Sequence, residues 1–464
     1  MSTSNTSPVD QNVFDPSVAT ELREKRKAKI ASTLAKRQRK ESMFRWAGFT
    51  SVIIGLAFVA ILFGSILYKG LPSFWQASMT VPVYFDPTVI DAGPRPTQKV
   101  GESPAVFQER FVAWQTKMGM VDWDSLIVNG IIAKDKALET RRDELSSLYT
   151  SSESYRIRDM VFKDPSLIGQ KLELNFLTDA NIDVWLAGNI DRSLPDEQQQ
   201  LSPEVRKLSD DLAAKGIIER TFNTQMFTNP DSRSSPATAG LAGAFMGSLF
   251  MMLIVIAIAI PLGVASAIYL EEFAPKNFIT DIIEVNINNL AAVPSIVFGL
   301  LGAAIFIGWM HLPISAPLVG GLVLSLMTLP TVIITTRASL KAVPPSIRQA
   351  ALGIGASRLQ TVFHHVLPLA LPGIMTGAII GIAHALGETA PLLLIGMSAF
   401  VANIPVSPID QSTALPVQVY LWQGNELRNF FEGRTAAAII VLLALMVSLN
   451  SLAIWLRKKF EVRW

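Results

Sequence analysis

Six separate runs of nearly uncharged residues constrain this chain more than any other feature. They are Trp46–Tyr68, Leu241–Leu270, Asn288–Met310, Ile314–Thr336, Pro372–Gly396 and Thr435–Leu456. A run of about twenty such residues crosses roughly 30 Å of hydrocarbon as an α-helix. The sequence therefore predicts an all-α polytopic membrane protein with six transmembrane helices.

Basic residues beside particular runs indicate the orientation. Those before the first run are Arg23, Lys25, Arg26, Lys27, Lys29, Lys36, Arg37, Arg39, Lys40 and Arg45, and those after the last are Arg457, Lys458, Lys459 and Arg463. Because basic residues accumulate on the cytoplasmic side, both termini are predicted to be cytoplasmic. The loop after the fourth run, with Arg337, Lys341, Arg348 and Arg358, fits this orientation. The loop that holds Glu271, Glu272, Asp281 and Glu284 is an acidic exception on the same side.

The segment 70–236 has the composition of a soluble domain, with charges throughout and several tryptophans. Helices are predicted at Asp135–Leu148 and Ser202–Lys215, the second with a serine cap followed by proline. Alternating residues predict strands at Leu172–Phe176 and Thr221–Phe227. We therefore expect a small α+β periplasmic insertion between transmembrane helices 1 and 2.

The predicted organisation has four parts. They are a basic cytoplasmic tail with helical propensity at 1–43, a first transmembrane helix at 44–69, the periplasmic domain at 70–236 and a membrane core at 237–464 with five further helices. The chain has no cysteine, which excludes disulfides and thiolate metal sites.

The cytoplasmic loop 343–368 is too polar to span a membrane and too apolar to be a simple linker. It predicts a short amphipathic helix, a turn at Gly355 and a second short helix that Leu367-Pro368 ends. Ala350 and Ala351 give the first helix a surface without bulk, which is typical of an element that enters a partner's groove.

This stretch resembles the Glu-Ala-Ala loop of ABC-importer permeases. Ala350, Ala351, Gly355, Leu367 and Pro368 occupy matching positions, whereas Gln349 replaces the glutamate and His365 replaces an isoleucine. The resemblance implies that the loop docks a separate ATPase, and the loss of the glutamate implies docking through shape more than through a carboxylate.

Three further stretches are similar to the PstA-type permease of bacterial phosphate importers. They are Pro261–Glu271, Asn289–Gly299 and Ala385–Leu394, and the resemblance covers about residues 227–464. It implies a multi-pass protein of the bacterial inner membrane that carries inorganic phosphate. The implied partners are a homologous second permease, two copies of an ABC ATPase and a periplasmic phosphate-binding protein. The segment 70–226 lies outside the usual core of this family.

His384 and Glu388 are the ionisable side chains predicted well inside the membrane, and such residues indicate a functional site. At four-residue spacing they share one helix face, and His384 lies roughly 18 Å beyond Pro372, near the middle of the predicted span. We expect His384, with Glu388 and Thr389, to line the translocation pathway. The alternative is a pair that satisfies itself against a neighbouring helix. The family commonly has arginine where His384 stands, so a titratable charge here predicts pH-dependent transport.

Gly373, Gly377 and Gly381 form a stripe of small residues that predicts close contact with another helix. We expect no metal site and no cofactor, since the histidines lack ligand spacing. The chain contains no Gly-x-x-x-x-Gly-Lys-Ser/Thr loop, so we expect a partner and not this chain to hydrolyse ATP. Two alternatives remain: a permease for another oxyanion, and a membrane-anchored periplasmic sensor built on 70–236.

Overall fold

The computed structural model describes residues 16–460, and residues 1–15 of the expected tail and Arg463 lie outside that range. The chain divides into two compact units, residues 1–65 and 66–464. Helix α1, Pro16–Gly70, runs without a break through the described part of the basic tail and the first apolar run. The helical propensity predicted for the tail is therefore confirmed over its described part.

A three-stranded antiparallel sheet organises the segment that follows α1. Its strands are β1 Trp75–Tyr84, β2 Lys171–Leu177 and β3 Ile218–Phe222, in the order β2-β1-β3. Ser78 of β1 lies opposite Leu177 on one side and Glu219 on the other. Strand β2 confirms the predicted strand at Leu172–Phe176, whereas the central strand β1 was not predicted.

Short helices cover this sheet. They are α2 Pro104–Met120, α3 Trp123–Lys134, α4 Arg142–Leu145, α5 Ser152–Lys163, α6 Ala180–Leu186, α7 Pro203–Ala214 and α8 Gln225–Thr228. Helix α7 confirms the prediction at 202–215, and the Ser202 side chain accepts a hydrogen bond from the Val205 N–H. Helices and sheet enclose a core that includes Met79, Phe85, Ile127 and Phe176.

Two predictions for this region are wrong in part. The expected strand Thr221–Phe227 ends at Phe222, because its partner β1 begins opposite, at Trp75. Asn223 then accepts a hydrogen bond from the Met226 N–H and starts the turn into α8. The expected helix Asp135–Leu148 is divided into a 3₁₀ segment, Lys136–Arg141, and α4. The Asp135 carboxylate accepts from the Ala137 N–H and so caps the 3₁₀ segment.

The remainder of the chain is helical. Its helices are α9 Ala242–Ile268, α10 Phe278–Ala291, α11 Ser295–Gly302, α12 Pro317–Ala342, α13 Pro345–Gly353, α14 Arg358–Thr361, α15 Leu367–Gly387, α16 Ala390–Leu394, α17 Leu415–Gln423 and α18 Arg428–Phe460. Five helices of residues 16–460 are long and apolar enough to cross a membrane, or six if one bent pair is a single span.

The bent pair corrects the third predicted span. The apolar run Asn288–Met310 is not one straight helix, because α10 ends at Ala291 and α11 begins at Ser295, with an angle of 102° between the two. Pro294 precedes α11 and biases Val293 away from helical geometry, which accounts for a break at this point. A π-helical segment, Ala303–Trp309, continues α11.

Some residues of the sheet domain belong to the hydrophobic core of the helical bundle and not to the domain's own core. Phe74, Val184 and Met226 come from the sheet domain, and they belong to the same buried cluster as Phe431 and Leu445 of α18. The domain is therefore packed directly onto the bundle.

Candidate functional site

The loop 343–368 forms a compact helix–turn–helix at one end of the bundle. Helix α13 ends at Gly353, and Gly355 takes φ +93°, a conformation that costs glycine little. Ser357 and Gln360 then form a reciprocal capping box that starts α14. Buried Val343, Val362 and Val366 anchor the element to the bundle.

The second half of the loop differs from the prediction that Leu367-Pro368 ends it. Helix α14 passes through a π-helical segment, Val362–Val366, directly into α15, so one continuous helix runs from Arg358 to Gly387. Pro368 lacks an N–H and its ring crowds the carbonyl four residues earlier. The π segment widens the helix just before Pro368 and accommodates the proline without a break.

Ion pairs hold α13 against the preceding membrane helices. Arg348 donates to Glu272 at 2.7 Å, and also to the carbonyl oxygens of Val343 at 2.7 Å and Leu340 at 2.8 Å. Arg337 donates to Glu284 at 2.9 Å and lies 3.3 Å from Glu271. Three of the four acids of the exceptional loop, Glu271, Glu272 and Glu284, thus pair with the bases that follow α11 in the chain. The opposite charges of these two loops were the sequence signal that could have predicted the pairing.

The residues predicted to dock an ATPase divide between exposed and buried positions. Gln349 and Ala350 are exposed, whereas Ala351 is buried against the bundle. Leu367 and Pro368 are partly buried within the continuous helix, and Gly355 is exposed at the turn. Large apolar side chains nevertheless face outwards from the element, namely Leu352, Ile354, Leu359 and Phe363. An exposed apolar patch on a helix–turn–helix is typical of a protein-binding surface.

The glycine stripe of α15 lies against α12. A Cβ atom on Gly373 would lie 2.4 Å from Ser339 Oγ, and one on Gly377 would lie 2.1 Å from Thr335 Oγ1. A Cβ on Gly381 would lie 2.8 Å from Thr328 Cγ2. The two helices approach so closely that no side chain fits between them at these three positions.

His384 and Glu388 are in direct contact, with His384 Nε2 2.9 Å from Glu388 Oε1. The His384 side chain is 57% exposed and that of Glu388 is 20% exposed. Helix α15 ends at Gly387, and Glu388 has extended backbone, so His384 lies in the last turn and not near the middle of the helix as expected. Thr389 follows and precedes the short helix α16. The pair therefore marks a helix end.

One charged residue inside the bundle was missed by sequence reasoning. Arg434, near the start of α18, is only 2% exposed. Its guanidinium donates to Gln76 in the sheet domain and to the carbonyl oxygens of Ala237 and Ala239. The sequence signal was an arginine directly before an apolar run. No group of three or more His, Asp or Glu side chains within residues 16–460 is arranged to hold a metal ion.

Several helices long and apolar enough to span a membrane, together with a helix–turn–helix that carries an outward apolar patch, are typical of a polytopic membrane protein that binds a partner. The chain belongs to the family described as binding-protein-dependent transport system inner membrane components, the permeases of ABC importers, whose pattern matches residues 259–462. A second pattern, a domain of unknown function named DUF3333, matches residues 31–196.

Curated relatives support this assignment. The chain is 32% identical over 244 residues to the phosphate transport system permease protein PstA of Yersinia pestis, covering 50% of this chain and 78% of the relative. It is 33% identical over 213 residues to the phosphate transport system permease protein PstA of Mycobacterium leprae, covering 45% of this chain and 68% of the relative. It is 29% identical over 262 residues to the probable ABC transporter permease protein YqgI of Bacillus subtilis, covering 53% of this chain and 87% of the relative.

Among solved structures, the chain is similar to one described as an amino acid ABC transporter with histidines. The TM-score is 0.34 at 19% identity, over 47% of this chain and 91% of the other.

Family members are transport components of the inner membrane that work with a second permease, an ATPase and a substrate-binding protein.

Proposed function

We propose that this chain is the permease subunit of an ATP-driven importer that carries inorganic phosphate across the inner membrane. The observation that carries the proposal is its identity of about a third to permeases named for phosphate transport. The permease family pattern covers residues 259–462, which include the helix–turn–helix 343–368, called the docking element below, and the His384–Glu388 pair. A separate pattern covers residues 31–196, which include most of the sheet domain.

The proposed complex contains this permease, a homologous second permease, two copies of an ABC ATPase and a periplasmic phosphate-binding protein. Residues 343–368 dock on the ATPase, with Gln349, Ala350 and the turn at Gly355 on the accessible side of the element. Both termini are cytoplasmic and the sheet domain, 70–236, is periplasmic. In this arrangement residues 1–43 are the tail, 44–69 the first transmembrane helix and 237–464 the permease core.

The continuous helix from Arg358 to Gly387 provides a mechanical route from the ATPase to the pathway. Its length between Arg358 and His384 is about 39 Å at 1.5 Å per residue. The glycine stripe keeps this helix against α12, and Arg348 ties α13 to the end of α9 through Glu272. A displacement of the docking element therefore moves three membrane helices together, which opens and closes the pathway as ATP is bound and hydrolysed.

His384, held by Glu388 and followed by Thr389, is proposed to contact the anion as it passes. A protonated imidazole offers an N–H donor and a positive charge, and the nearby carboxylate limits how tightly an anion is held. The half-exposed position of His384 leaves its ring accessible from the surface that the second permease would cover.

The test is uptake of radiolabelled phosphate into vesicles that contain the complete complex, with and without ATP. We expect uptake of the labelled phosphate to depend on ATP. An excess of unlabelled phosphate should inhibit this uptake, whereas an excess of sulfate should not. Uptake of sulfate or another oxyanion in preference to phosphate would reassign the cargo. An absence of any ATP-driven uptake, together with no co-purifying ATPase, would favour the periplasmic sensor instead.

A further inference from the structure

A cavity of about 550 Å³ lies where the sheet domain meets the ends of α1 and α18. Its lining includes Lys69 at the end of α1, Asp183 of α6, Arg220 of β3 and Arg434 of α18. Neither the family assignment nor the proposed transport pathway gives this cavity a role.

Two guanidinium groups line the cavity, and neither forms an ion pair with a carboxylate of the described residues. Arg220 donates through Nη2 to the carbonyl oxygens of Pro72 and Trp75, at 3.1 and 2.7 Å. Arg434 is buried and donates to three uncharged oxygens, those of Gln76, Ala237 and Ala239. Because a guanidinium has five N–H donors, two remain on Arg434 and three on Arg220. A buried cation without a paired anion is costly.

The other charged groups of the lining do not compensate both arginines. Lys69 and Glu432 form an exposed pair with each other, at 2.5 Å, and so neutralise one another at the rim. Asp183 accepts a hydrogen bond from the Ala77 N–H, and burial raises the pKa of its carboxyl group. Two guanidinium charges against one carboxylate leave an excess positive charge in the cavity.

The position of the cavity along the membrane normal indicates which ligands could reach it. The apolar run of α18, Thr435–Leu456, begins directly after Arg434. Exposed Tyr68 precedes Lys69 at the end of α1, and tyrosines of this kind are enriched where hydrocarbon gives way to headgroups. The cavity therefore lies at the level of phospholipid phosphates.

We propose that this cavity binds a phosphate group on Arg220 and Arg434, supplied either by a phospholipid headgroup or by free inorganic phosphate. The remaining N–H donors suit the tetrahedral oxygens of phosphate, and guanidinium groups favour such oxygens. Bound phosphate would neutralise the buried charge of Arg434 where α18 joins the sheet domain. The proposal holds whichever ion the permease transports.

The first experiment is native mass spectrometry of the purified full-length protein in mild detergent, followed by thermal unfolding of delipidated protein with inorganic phosphate. Retained phospholipid in the wild type, reduced at least about tenfold in Arg220→Gln, identifies a lipid headgroup. A rise in Tm with inorganic phosphate, absent from Arg220→Gln, identifies the free anion. The matched control is Arg158→Gln, since Arg158 pairs with Asp159 on the surface of the sheet domain.

Arg220→Gln also removes the hydrogen bonds to the carbonyl oxygens of Pro72 and Trp75, so a loss of binding could result from a local change in structure. A second variant that keeps these hydrogen bonds is therefore needed. Asn189→Asp adds a negative charge to the cavity lining and leaves every hydrogen bond of Arg220 in place. It is expected to lower phosphate binding by a similar factor. Wild-type lipid retention and an unchanged response to phosphate in Asn189→Asp would overturn the proposal, as would the absence of both ligands from the wild type.

Discussion

Arg348 of the docking element donates to Glu272 beyond the end of α9 at 2.7 Å, across 76 positions of sequence. The Glu272 side chain is only 10% exposed, so the ion pair is largely shielded from solvent. The same guanidinium also caps the C-terminal end of α12 through two carbonyl oxygens. One side chain therefore connects α13 with the C-terminal ends of α9 and α12.

Replacing Arg348 with alanine should uncouple ATP hydrolysis from transport. Loss of the guanidinium removes the partner of Glu272 and of the Val343 carbonyl oxygen, while the Leu340 carbonyl oxygen still accepts from the Val343 N–H. The expected cost is about 1–3 kcal/mol in the free energy of unfolding. We expect fewer phosphate ions imported per ATP hydrolysed in vesicles. Lys276→Ala, which removes an exposed cation from the neighbouring loop, is the control and should keep the wild-type ratio. The double reversal Arg348→Glu with Glu272→Arg should restore part of the coupling; no recovery would contradict an ion-pair role.

Gly377→Ala should destabilise the bundle. The new Cβ would lie 2.5 Å from Thr335 Cβ, so α12 and α15 must separate, and we expect a loss of about 1–3 kcal/mol. Gly387→Ala, in the same helix, meets no atom within 4 Å and should be neutral or slightly stabilising. Thermal unfolding in detergent measures both. Equal Tm values for the two variants would exclude close packing at the stripe.

Gly355→Ala should impair docking more than stability. Its φ of +93° lies in the left-handed half of the backbone map, where a Cβ costs about 1–2 kcal/mol per residue. The turn between α13 and α14 would shift, and the exposed patch of Leu352, Ile354, Leu359 and Phe363 would lose its arrangement. Co-purification of the ATPase is the measurement. Gly353→Ala, with negative φ and open space around it, should bind the ATPase normally.

His384 should make phosphate uptake depend on pH. His384→Arg keeps a positive charge at every pH, so it serves as the reference for the change in protonation of phosphate itself over this range. The ratio of wild-type uptake to His384→Arg uptake, measured in the same buffers, is expected to fall as the pH rises from about 6 to about 8. His384→Ala should transport less at every pH. Wild-type rates and pH dependence in His384→Ala would show that the pair with Glu388 is structural.

The membrane helices were largely predictable because apolar content alone determines which segments enter hydrocarbon. The positions at which these helices bend were not predictable from the sequence. Pro261, Pro330 and Pro372 lie within continuous helices, whereas Pro294 accompanies a turn of 102°, and composition does not distinguish these cases. Neighbouring helices decide whether a proline is absorbed or breaks the helix.

The docking element was predictable in outline because Gly355 and the flanking small residues act locally. The ion pair of Arg348 with Glu272 and the burial of Arg434 were not predicted. Their charges are visible in the sequence, but each contact joins segments far apart in the chain, and local patterns do not identify the partner. The strand β1 was likewise missed, because it is the central strand and is buried at nearly every interior position, so it has no alternation of buried and exposed residues. Contacts between residues far apart in the chain determine these features, and the local periodicity of the sequence does not report such contacts.

The residues that the sheet domain contributes to the core of the bundle have a consequence for the order of synthesis. Phe74 and Met226 are made early, but their cluster closes only when Phe430 and Phe431 of the last membrane helix arrive. Arg434 then reaches back to Gln76. Although a domain near the start of a chain commonly folds before the rest is made, the face of this one that packs on the bundle stays unburied until α18 is inserted.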